Sequence, residues 1–320
     1  MAERFSDTAT RVRRSKRVVR GTPAPPAPTG NLWMSVTYDN LAESVRAEWD
    51  RAAAPLGGLA GTVGGSPGVT RVTDVVHRGA ASCRLDLPVN TGGSHRAEWG
   101  PLGPFKKYVE QYYGVAIYLP SSWNWSACGP WGIVCTQYGL NDLWAGFASL
   151  NLGGPIDSIA ASGIQQRMAV TVQTGLSSTS NSQYSLYASV MPAPMQLATW
   201  YEIIVGVYLT DFDNGTGWTR SWWRTKGQTS WTTGGSVEGK PTMQWTSAEG
   251  QGGATGRRDG AATTPPNLAY KWGMYRGGPA PAAFMYQDSH CRGDTFAVVE
   301  SVLTTGAPSY QAAIGQFPAG

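Results

Sequence analysis

The sequence is poor in charged residues, in cysteine and in long apolar runs. Only 14% of its 320 residues are Asp, Glu, Lys or Arg, and the four cysteines include no C-x-x-C pair. Their spacing therefore does not indicate a metal site. No run approaches the ~20 apolar residues of a membrane-spanning helix. The first 30 residues also lack the apolar core of a secretory signal, so the sequence gives no sign of export by that route.

The cysteines leave the redox compartment open. Cys128 and Cys135 are near enough in sequence to close a small disulfide loop. Free buried thiols explain these two, together with Cys83 and Cys291, equally well. Since the sequence shows neither a signal nor a membrane span, we expect a cytoplasmic chain, or one that acts outside the cell if it is released as part of a virion.

The net charge of +4 belongs to the N-terminal part of the chain. Residues 1–30 hold seven of the 25 basic and two of the 21 acidic residues, which leaves 18 basic and 19 acidic residues elsewhere. Such a neutral remainder does not support a nucleic-acid-binding surface, which needs clustered positive charge. The basic arm ends in a Pro-rich stretch and is predicted to be disordered or extended. Docking onto an acidic partner or a protein assembly is its alternative role.

The composition and the patterning favour an all-β fold. The chain has 41 Gly, 14 Trp and 14 Tyr, and its longest helix-period segment is short, around residues 39–53. About a dozen short strand patterns without βαβ alternation predict a single-domain antiparallel jelly-roll β-sandwich over residues 31–305. Its last strand is predicted at Phe296 to Val302, residues 234–266 are predicted to be irregular, and residues 306–320 form a tail.

One predicted strand, at residues 270–276, combines a cation with a phenol. Side chains of a strand alternate between its faces, so Lys271, Gly273 and Tyr275 share one face. Gly273 leaves that face open, and a ligand lying across the strand could reach both of its neighbours. An ordinary sandwich strand with a snorkelling Lys and a half-buried Tyr is the other interpretation.

A second strand pattern alternates aromatic and cationic residues. On residues 218–225 the same parity places four side chains on one face: Trp218, Arg220, Trp222 and Arg224. Flat rings suit the apolar faces of sugars and cations suit acidic groups, so this face could bind an acidic glycan. Most Trp residues of a sandwich instead fill its core. Trp123, Trp125 and Trp131 lie in a loop with Pro and Gly and are predicted to be the most exposed.

One segment with several oxygen-bearing side chains resembles both a calcium site and a hairpin turn. Asp211, Asp213 and Asn214 offer oxygen ligands that could hold calcium, but the same residues before Gly215 are ordinary hairpin-turn chemistry. No glutamate follows at the spacing of a calcium loop. We therefore predict a turn between two hairpin strands and no cofactor, with calcium as the alternative.

Four short segments and a closing pattern recur in an order known from one group of enzymes. The segments are Arg96-Ala97-Glu98-Trp99, Tyr112 to Pro120, Gln137-Tyr138-Gly139 and Lys271-Trp272-Gly273-Met274-Tyr275-Arg276, and the closing pattern is Asp288 to Thr295. Together they resemble the jelly-roll, concanavalin A-like polysaccharide lyases, most closely the heparin lyase-like family, with alginate lyases as relatives of similar fold. The similarity covers most of residues 71–302.

This resemblance implies binding of an acidic polysaccharide in a concave sheet and its cleavage by β-elimination. In that reaction one group neutralises a uronate carboxylate while another removes the adjacent proton. Carried onto this sequence, Arg96 and Gln137 neutralise or hydrogen-bond the carboxylate, Lys271 adds positive potential, and Tyr275 protonates the leaving oxygen. The residues expected to contact the substrate besides these are Arg276, Glu98, Trp222, Arg220, Arg224 and Trp123.

One departure from the family pattern leaves the catalytic role open. Where these lyases have a His two residues after the Gln, this chain has Gly139, and His77, His95 and His290 do not replace it by spacing. A single Tyr can act as both base and acid if nearby cations such as Lys271 lower its pKa. The alternative is a non-catalytic carbohydrate-binding or structural β-sandwich, such as a phage tail or virion component docked through its arm.

Overall fold

A computed structural model describes most of the predicted domain. The described residues are 30–36, 38, 69–102, 109–129, 132–140, 148–153, 166–177, 184–190, 194–208, 216–239, 244–246 and 269–306. The strands are β1 Leu32–Ser35, β2 Val69–Val72, β3 Ser82–Leu87, β4 Ser94–Leu102, β5 Glu110–Leu119, β6 Ile133–Leu140, β7 Ala148–Leu152, β8 Met168–Ser177, β9 Tyr184–Val190, β10 Thr199–Tyr208, β11 Trp218–Thr225, β12 Thr232–Glu238, β13 Gln244–Thr246, β14 Ala269–Gly277 and β15 Ala283–Gly293. A 3-10 helix spans Trp125–Cys128, and helix α1 spans Phe296–Thr305.

The strands form two sheets that pack face to face. Sheet 1 has the order β12-β11-β10-β5-β15-β3-β2, with β1 pairing the far end of β15; sheet 2 has the order β13-β8-β7-β6-β14-β4, with β9 pairing β8. The pairs are antiparallel except for β13 with β8, which is parallel. The prediction of an all-β antiparallel sandwich is therefore confirmed.

The main core lies between the sheets, and a second apolar layer lies outside sheet 1. Leu85, Ile117 and Ile203 of sheet 1 meet Leu150 and Met274 of sheet 2 in the main core. Strand β10 is buried on both faces, because one face packs on sheet 2 and the other lies beneath helix α1. Such double burial explains why β10 reads as a nearly continuous apolar run.

Helix α1 corrects the prediction of a last strand at Phe296 to Val302. The Thr295 side chain caps its first turn by accepting a hydrogen bond from the Val298 backbone N–H, as N-cap residues do. The buried positions of the helix, Val298, Val299, Val302 and Leu303, recur with helical spacing. The helix can lie close to sheet 1 because Gly114 has no Cβ, which would approach Val299 Cγ1 to 2.7 Å.

The remaining predicted segments lie partly inside and partly outside the described residues. The irregular stretch predicted at residues 234–266 contains part of β12 and all of β13. The predicted arms of the hairpin, β10 and β11, pair in antiparallel register, whereas its turn at residues 211–215 lies outside the described residues. The helix predicted at 39–53, the arm before Gly30 and the tail after Gly306 also lie outside them, so docking through the arm stays a prediction. None of the described helices is long and apolar enough to cross a membrane.

The four cysteines are free thiols buried in the fold. Burial raises the pKa of Cys128 to about 12, against a smaller opposing effect of Arg276. A high pKa keeps a cysteine as the unreactive thiol at neutral pH. The small disulfide loop left open by the spacing of Cys128 and Cys135 does not form in this structure.

A buried polar cluster joins helix α1 to the outer face of sheet 1. Glu202 on β10 accepts hydrogen bonds from His77 Nε2 at 2.9 Å, Arg78 at 3.1 Å and Arg224 Nε at 2.5 Å. Arg224 also donates to Thr304 Oγ1 near the end of the helix, at 2.7 Å. The charges of the cluster are paired and, apart from the partly exposed Arg78, buried. The cluster therefore ties the loop at residues 77–78, β10, β11 and helix α1 together, and removal of one member would leave another unpaired.

This cluster contains a Ser-His-Glu arrangement, which we interpret as structural. Ser289 Oγ lies 2.9 Å from His77 Nδ1, on the other side of the imidazole from Glu202. The three residues are only 4%, 2% and 0% exposed, respectively. Burial, although opposed by Glu202, lowers the pKa of His77 and favours the neutral imidazole. With two arginines on Glu202 and all three residues buried, the arrangement has the contacts of a fold-stabilising network rather than of a nucleophile site.

His290 is a second buried imidazole, inside the main core. Its ring lies 4.8 Å from the ring of Trp272, and neither of its nitrogens has a hydrogen-bond partner among the described residues. Burial lowers its pKa well below the ordinary value. In the unfolded chain, His77 and His290 bind protons near pH 6.5. In the folded protein their pKa values are lower, so they stay neutral to a lower pH. The free energy of unfolding must therefore fall as the pH drops below about 6.5.

We expect His290→Phe to weaken this acid sensitivity. The new ring keeps the contact with Trp272 but cannot bind a proton. The slope of the unfolding free energy against pH, between about pH 5 and pH 6.5, should become shallower by up to about 1.4 kcal/mol per pH unit. Urea unfolding followed by Trp fluorescence at several pH values measures both slopes. Equal slopes for the variant and the parent protein would contradict this account.

Candidate functional site

Three adjacent strands of sheet 2 bring the predicted catalytic positions together. Strand β14 lies between β4 and β6. Tyr275 is paired across the strands with Arg96 of β4, and Lys271 with Gln137 of β6. Residues directly opposite each other in an antiparallel pair share a face of the sheet. The backbone thus places all four positions on the same face, although they come from segments far apart in the sequence.

This face is the outer one, away from the core. The alternate residues of β14, Trp272, Met274 and Arg276, are 1%, 0% and 0% exposed and point toward sheet 1. By the period of two, Lys271, Gly273 and Tyr275 belong to the opposite side. The Tyr275 side chain is half-buried. The burial of Trp272, Met274 and Arg276 and the partial exposure of Tyr275 agree with the parity predicted from the sequence.

The register divides the four positions into two pairs. Tyr275 and Arg96 form one pair and Lys271 and Gln137 the other, and Glu98 lies between them, opposite Gly273. Tyr275 lies four positions after Lys271, which corresponds to about 13 Å along β14. The two pairs are therefore placed to meet different parts of an extended ligand.

A bulge in β14 lies between the two pairs. From the pair Trp272–Thr136 to the pair Tyr275–Val134, two residues of β14 face a single residue of β6. Gly273 within this bulge has φ of 138°, which side-chain-bearing residues rarely adopt. Bulges re-aim the side chains that follow them, so the direction of Tyr275 depends on the geometry at Gly273.

The three histidines lie away from this face. His95 is paired with the core-facing Arg276, His77 belongs to the Glu202 cluster on the other side of sheet 1, and His290 is in the core. The predicted absence of an imidazole beside Gln137 therefore holds in three dimensions for all the histidines of the chain.

Arg276 does not contact the outer face, contrary to its predicted role in substrate binding. Its guanidinium is buried and donates to the carbonyl oxygens of Ala127 and Pro281, both at 2.6 Å, and of Pro88 at 2.5 Å. Burial lowers its pKa, against a smaller opposing effect of Cys128. Arg276 thus holds the 3-10 helix at Ala127 and the loops at Pro88 and Pro281 together at the end of β14.

The alternating aromatic and cationic face of β11 is on the far side of the molecule. Trp218 and Trp222 belong to the apolar layer outside sheet 1, so two sheets, about 10 Å apart, separate them from Tyr275. Trp222 packs against Phe296 of helix α1, with ring centroids 5.1 Å apart. The predicted parity of this strand is correct, but Arg220, Trp222 and Arg224 cannot line one groove with Tyr275.

The cations of that face are already paired. Arg220 forms two hydrogen bonds with Glu238, at 2.7 and 3.1 Å, and lies 4.3 Å above the Trp218 ring. Arg224 is buried against Glu202. A face whose cations are neutralised by carboxylates has little attraction for an acidic glycan. The alternative interpretation, in which the Trp residues of this strand fill a core, describes the face better.

The loop tryptophans also differ from their prediction. Trp123 is 7% exposed and packs edge-on against Trp125, with centroids 6.1 Å apart. Both contact the main core, and Trp125 is the more exposed of the two. Trp131 lies outside the described residues. Trp123 therefore supports the core rather than presenting its ring to a sugar.

No cluster of metal-binding side chains occurs among the described residues. The calcium alternative rested on Asp211, Asp213 and Asn214, which lie outside them. The possibility of a calcium ion at this turn therefore stays a prediction.

The fold is similar to that of polysaccharide lyases. An endo-β-1,4-glucuronan lyase from the fungus Trichoderma reesei superposes with a TM-score of 0.53 at 15% identity, over 75% of this chain and 94% of that one. A marine alginate lyase from Aplysia kurodai gives 0.44 at 10% identity, over 70% and 86% of the two chains. An alginate lyase from a Chlorella virus gives 0.33 at 11% identity, over 72% and 89%.

The sequence itself gives no comparable match. No protein-family model matches it, and no curated protein does so significantly. At 15% identity the structural likeness establishes the fold alone. The chain thus has a polysaccharide lyase-like sandwich, while membership of the heparin lyase-like family stays a prediction.

We expect replacement of Arg276 to affect stability and not glycan recognition. Arg276→Met removes the donors of three carbonyl groups, and buried carbonyls left unpaired cost about 1–3 kcal/mol each. The free energy of unfolding, measured in urea, should fall by about 3 kcal/mol or more. Arg276→Lys is the matched variant and should lose less, because it keeps the charge and some of the donors. An unchanged urea midpoint in Arg276→Met would contradict a structural role.

Proposed function

We propose that this protein is a polysaccharide lyase that cleaves a uronate-containing glycan on the outer face of sheet 2. The observation that supports the proposal is the register of β4, β14 and β6, which gathers the positions of Arg96, Gln137, Lys271 and Tyr275 on one face. A lyase needs a cation or hydrogen-bond donor for the carboxylate and a group that transfers protons, and these four residue types supply both.

The pairing divides the work between the two ends of the site. Tyr275 and Arg96 carry out the chemistry: the arginine neutralises the uronate carboxylate, which makes the adjacent C–H more acidic. The phenolic oxygen of Tyr275 takes that proton and passes it to the leaving glycosidic oxygen, as the bond to that oxygen breaks and the double bond forms. Lys271 and Gln137, about 13 Å away along the strand, bind a neighbouring sugar unit.

A syn elimination suits this arrangement. Because all three histidines lie elsewhere, the group that takes the proton and the group that returns it are the same phenol, which requires both events on one side of the sugar ring. The reaction leaves an unsaturated uronate at the new end of the chain. The similarity of the fold to a glucuronan lyase makes glucuronan the first substrate to test, with alginate and glycosaminoglycans beside it.

We expect Tyr275→Phe to abolish most of the cleavage. The full-length protein is mixed with each glycan and the ultraviolet absorbance of the unsaturated product is followed. Loss of the proton-transferring phenol should lower kcat by about 10²- to 10⁴-fold with little change in KM. Tyr208→Phe is the matched control, since Tyr208 is half-buried like Tyr275 but lies on sheet 1.

Two outcomes would refute the lyase proposal. In one, no uronate glycan yields the unsaturated product with the parent protein. In the other, the product forms but Tyr275→Phe forms it as fast. Glycan binding without any product would instead support the non-catalytic carbohydrate-binding alternative.

Substitutions in the two pairs, Tyr275 with Arg96 and Lys271 with Gln137, should affect different kinetic constants. Lys271→Ala, which removes binding at a neighbouring sugar, should raise KM by about tenfold while kcat stays within about threefold of the parent value. Arg96→Ala should lower kcat by about 10²-fold or more, because it removes stabilisation of the charge that develops at the reacting sugar. If both variants changed kcat alike, the division into two pairs would be wrong.

A further inference from the structure

We propose that Gln287, a residue of the opposite sheet, is a positioning residue for Tyr275. The inference rests on the proposed function, in which Tyr275 transfers the proton. Gln287 lies on β15 of sheet 1 and does not reach the outer face of sheet 2. It acts through the backbone of β14 at Gly273.

The contact crosses the main core. Gln287 Nε2 donates a hydrogen bond to the carbonyl oxygen of Gly273, at 3.0 Å, and both residues are buried. Gln287 is itself held on both sides, because its backbone pairs with Ile117 of β5 and with Cys83 of β3. The donor is thus anchored in the middle of sheet 1, and it fixes one point of β14 relative to that sheet.

The carbonyl of Gly273 is at the place where β14 departs from regular pairing with β6, while its pairing with β4 stays regular there. Gly273 and Met274 together face one residue of β6, and Gly273 has φ of 138°. A buried carbonyl without a donor is costly, by about 1–3 kcal/mol. The amide of Gln287 therefore stabilises the bulged conformation over alternatives that would turn this carbonyl toward another partner.

The bulge determines how Tyr275 is aimed relative to Lys271. Both residues lie on the outer face, one on either side of Gly273, and they match β6 at positions three residues apart although they are four apart in β14. A change in the bulge would shift Tyr275 against Arg96 and the reacting sugar. A displacement of about 1 Å can cost a reaction about 10²-fold, so a hydrogen bond across the core can control the rate.

Arg276 gives β14 a second fixed point. Its three hydrogen bonds to loop carbonyls lie just beyond Tyr275. Tyr275 therefore lies between two buried fixed points of the strand. One is Gly273, held by Gln287, and the other is Arg276, which directly follows Tyr275. Of these two, Gln287 has the narrower effect, because it touches a single backbone atom.

The experiment uses Gln287→Met, which keeps an unbranched side chain but has no donor. Met285→Leu is the control for a general disturbance of β15, since Met285 is fully buried on the same strand and belongs to the main core. Gln287→Glu is the conservative variant: burial raises the pKa of a carboxyl group, and the protonated form can donate to the Gly273 carbonyl in place of the amide.

We expect Gln287→Met to lower kcat on the cleaved glycan by about 10- to 100-fold, with KM within about twofold, at a temperature where all variants remain folded. Met285→Leu should stay within about threefold of the parent kcat. Gln287→Glu should retain most of the rate at neutral pH and lose it as its carboxyl group ionises at higher pH. If Gln287 had a purely structural role, Gln287→Glu would not be more active than Gln287→Met, and its rate would not show this pH dependence.

A measurement independent of activity accompanies the kinetics. Hydrogen exchange of the Met274 and Tyr275 amides should be faster in Gln287→Met by about tenfold or more, and unchanged in Met285→Leu. If the parent protein cleaves no uronate glycan, the proposed function fails, and this exchange alone decides whether Gln287 holds β14. Unchanged exchange, unchanged kcat in Gln287→Met, or an equal loss of kcat in Met285→Leu would each overturn the inference.

Discussion

Burial of one face of β14 is the constraint from which the candidate site follows. Trp272, Met274 and Arg276 fill the space against sheet 1, and a slip of one residue would expose all three and bury Lys271 and Tyr275 instead. Such a slip costs several kcal/mol of apolar burial. The core therefore holds the outer residues in place, and the neighbouring strands β4 and β6 need only match this register to bring Arg96 and Gln137 alongside.

The sequence predicts the elements of this arrangement better than their pairing. Strand β14 is predicted at residues 270–276 and observed at Ala269–Gly277, and its alternation is correct because parity is a local property. The opposition of Tyr275 to Arg96 depends on pairing between segments about 180 residues apart, which a local pattern does not contain. The bulge at Gly273 is equally non-local, since it exists only relative to β6.

The helix and the aromatic face show two limits of local patterns. The valines of residues 296–302 favour a strand, yet Thr295 followed by apolar residues at helical spacing was a readable signal for a capped helix. On β11 the parity was correct, but parity does not say which side of a sandwich a face occupies. It also cannot reveal that Glu238 and Glu202, on neighbouring strands, neutralise Arg220 and Arg224.

The missing imidazole and the register of the sheet both support the proposed mechanism, in which one phenol transfers the proton. A separate base and acid would need two titratable groups on either side of the reacting sugar, and the outer-face pair that includes Tyr275 offers one phenol and one guanidinium. A guanidinium does not release its proton at physiological pH, so it can only neutralise charge. In the proposed reaction the phenol of Tyr275 therefore both takes and returns the proton, so its orientation matters in both transfers. A site of this kind depends more than a two-residue site on the backbone that carries its single proton-transferring group. In the proposed mechanism the bulge at Gly273 and its hydrogen bond to Gln287 therefore contribute to the reaction as well as to the fold.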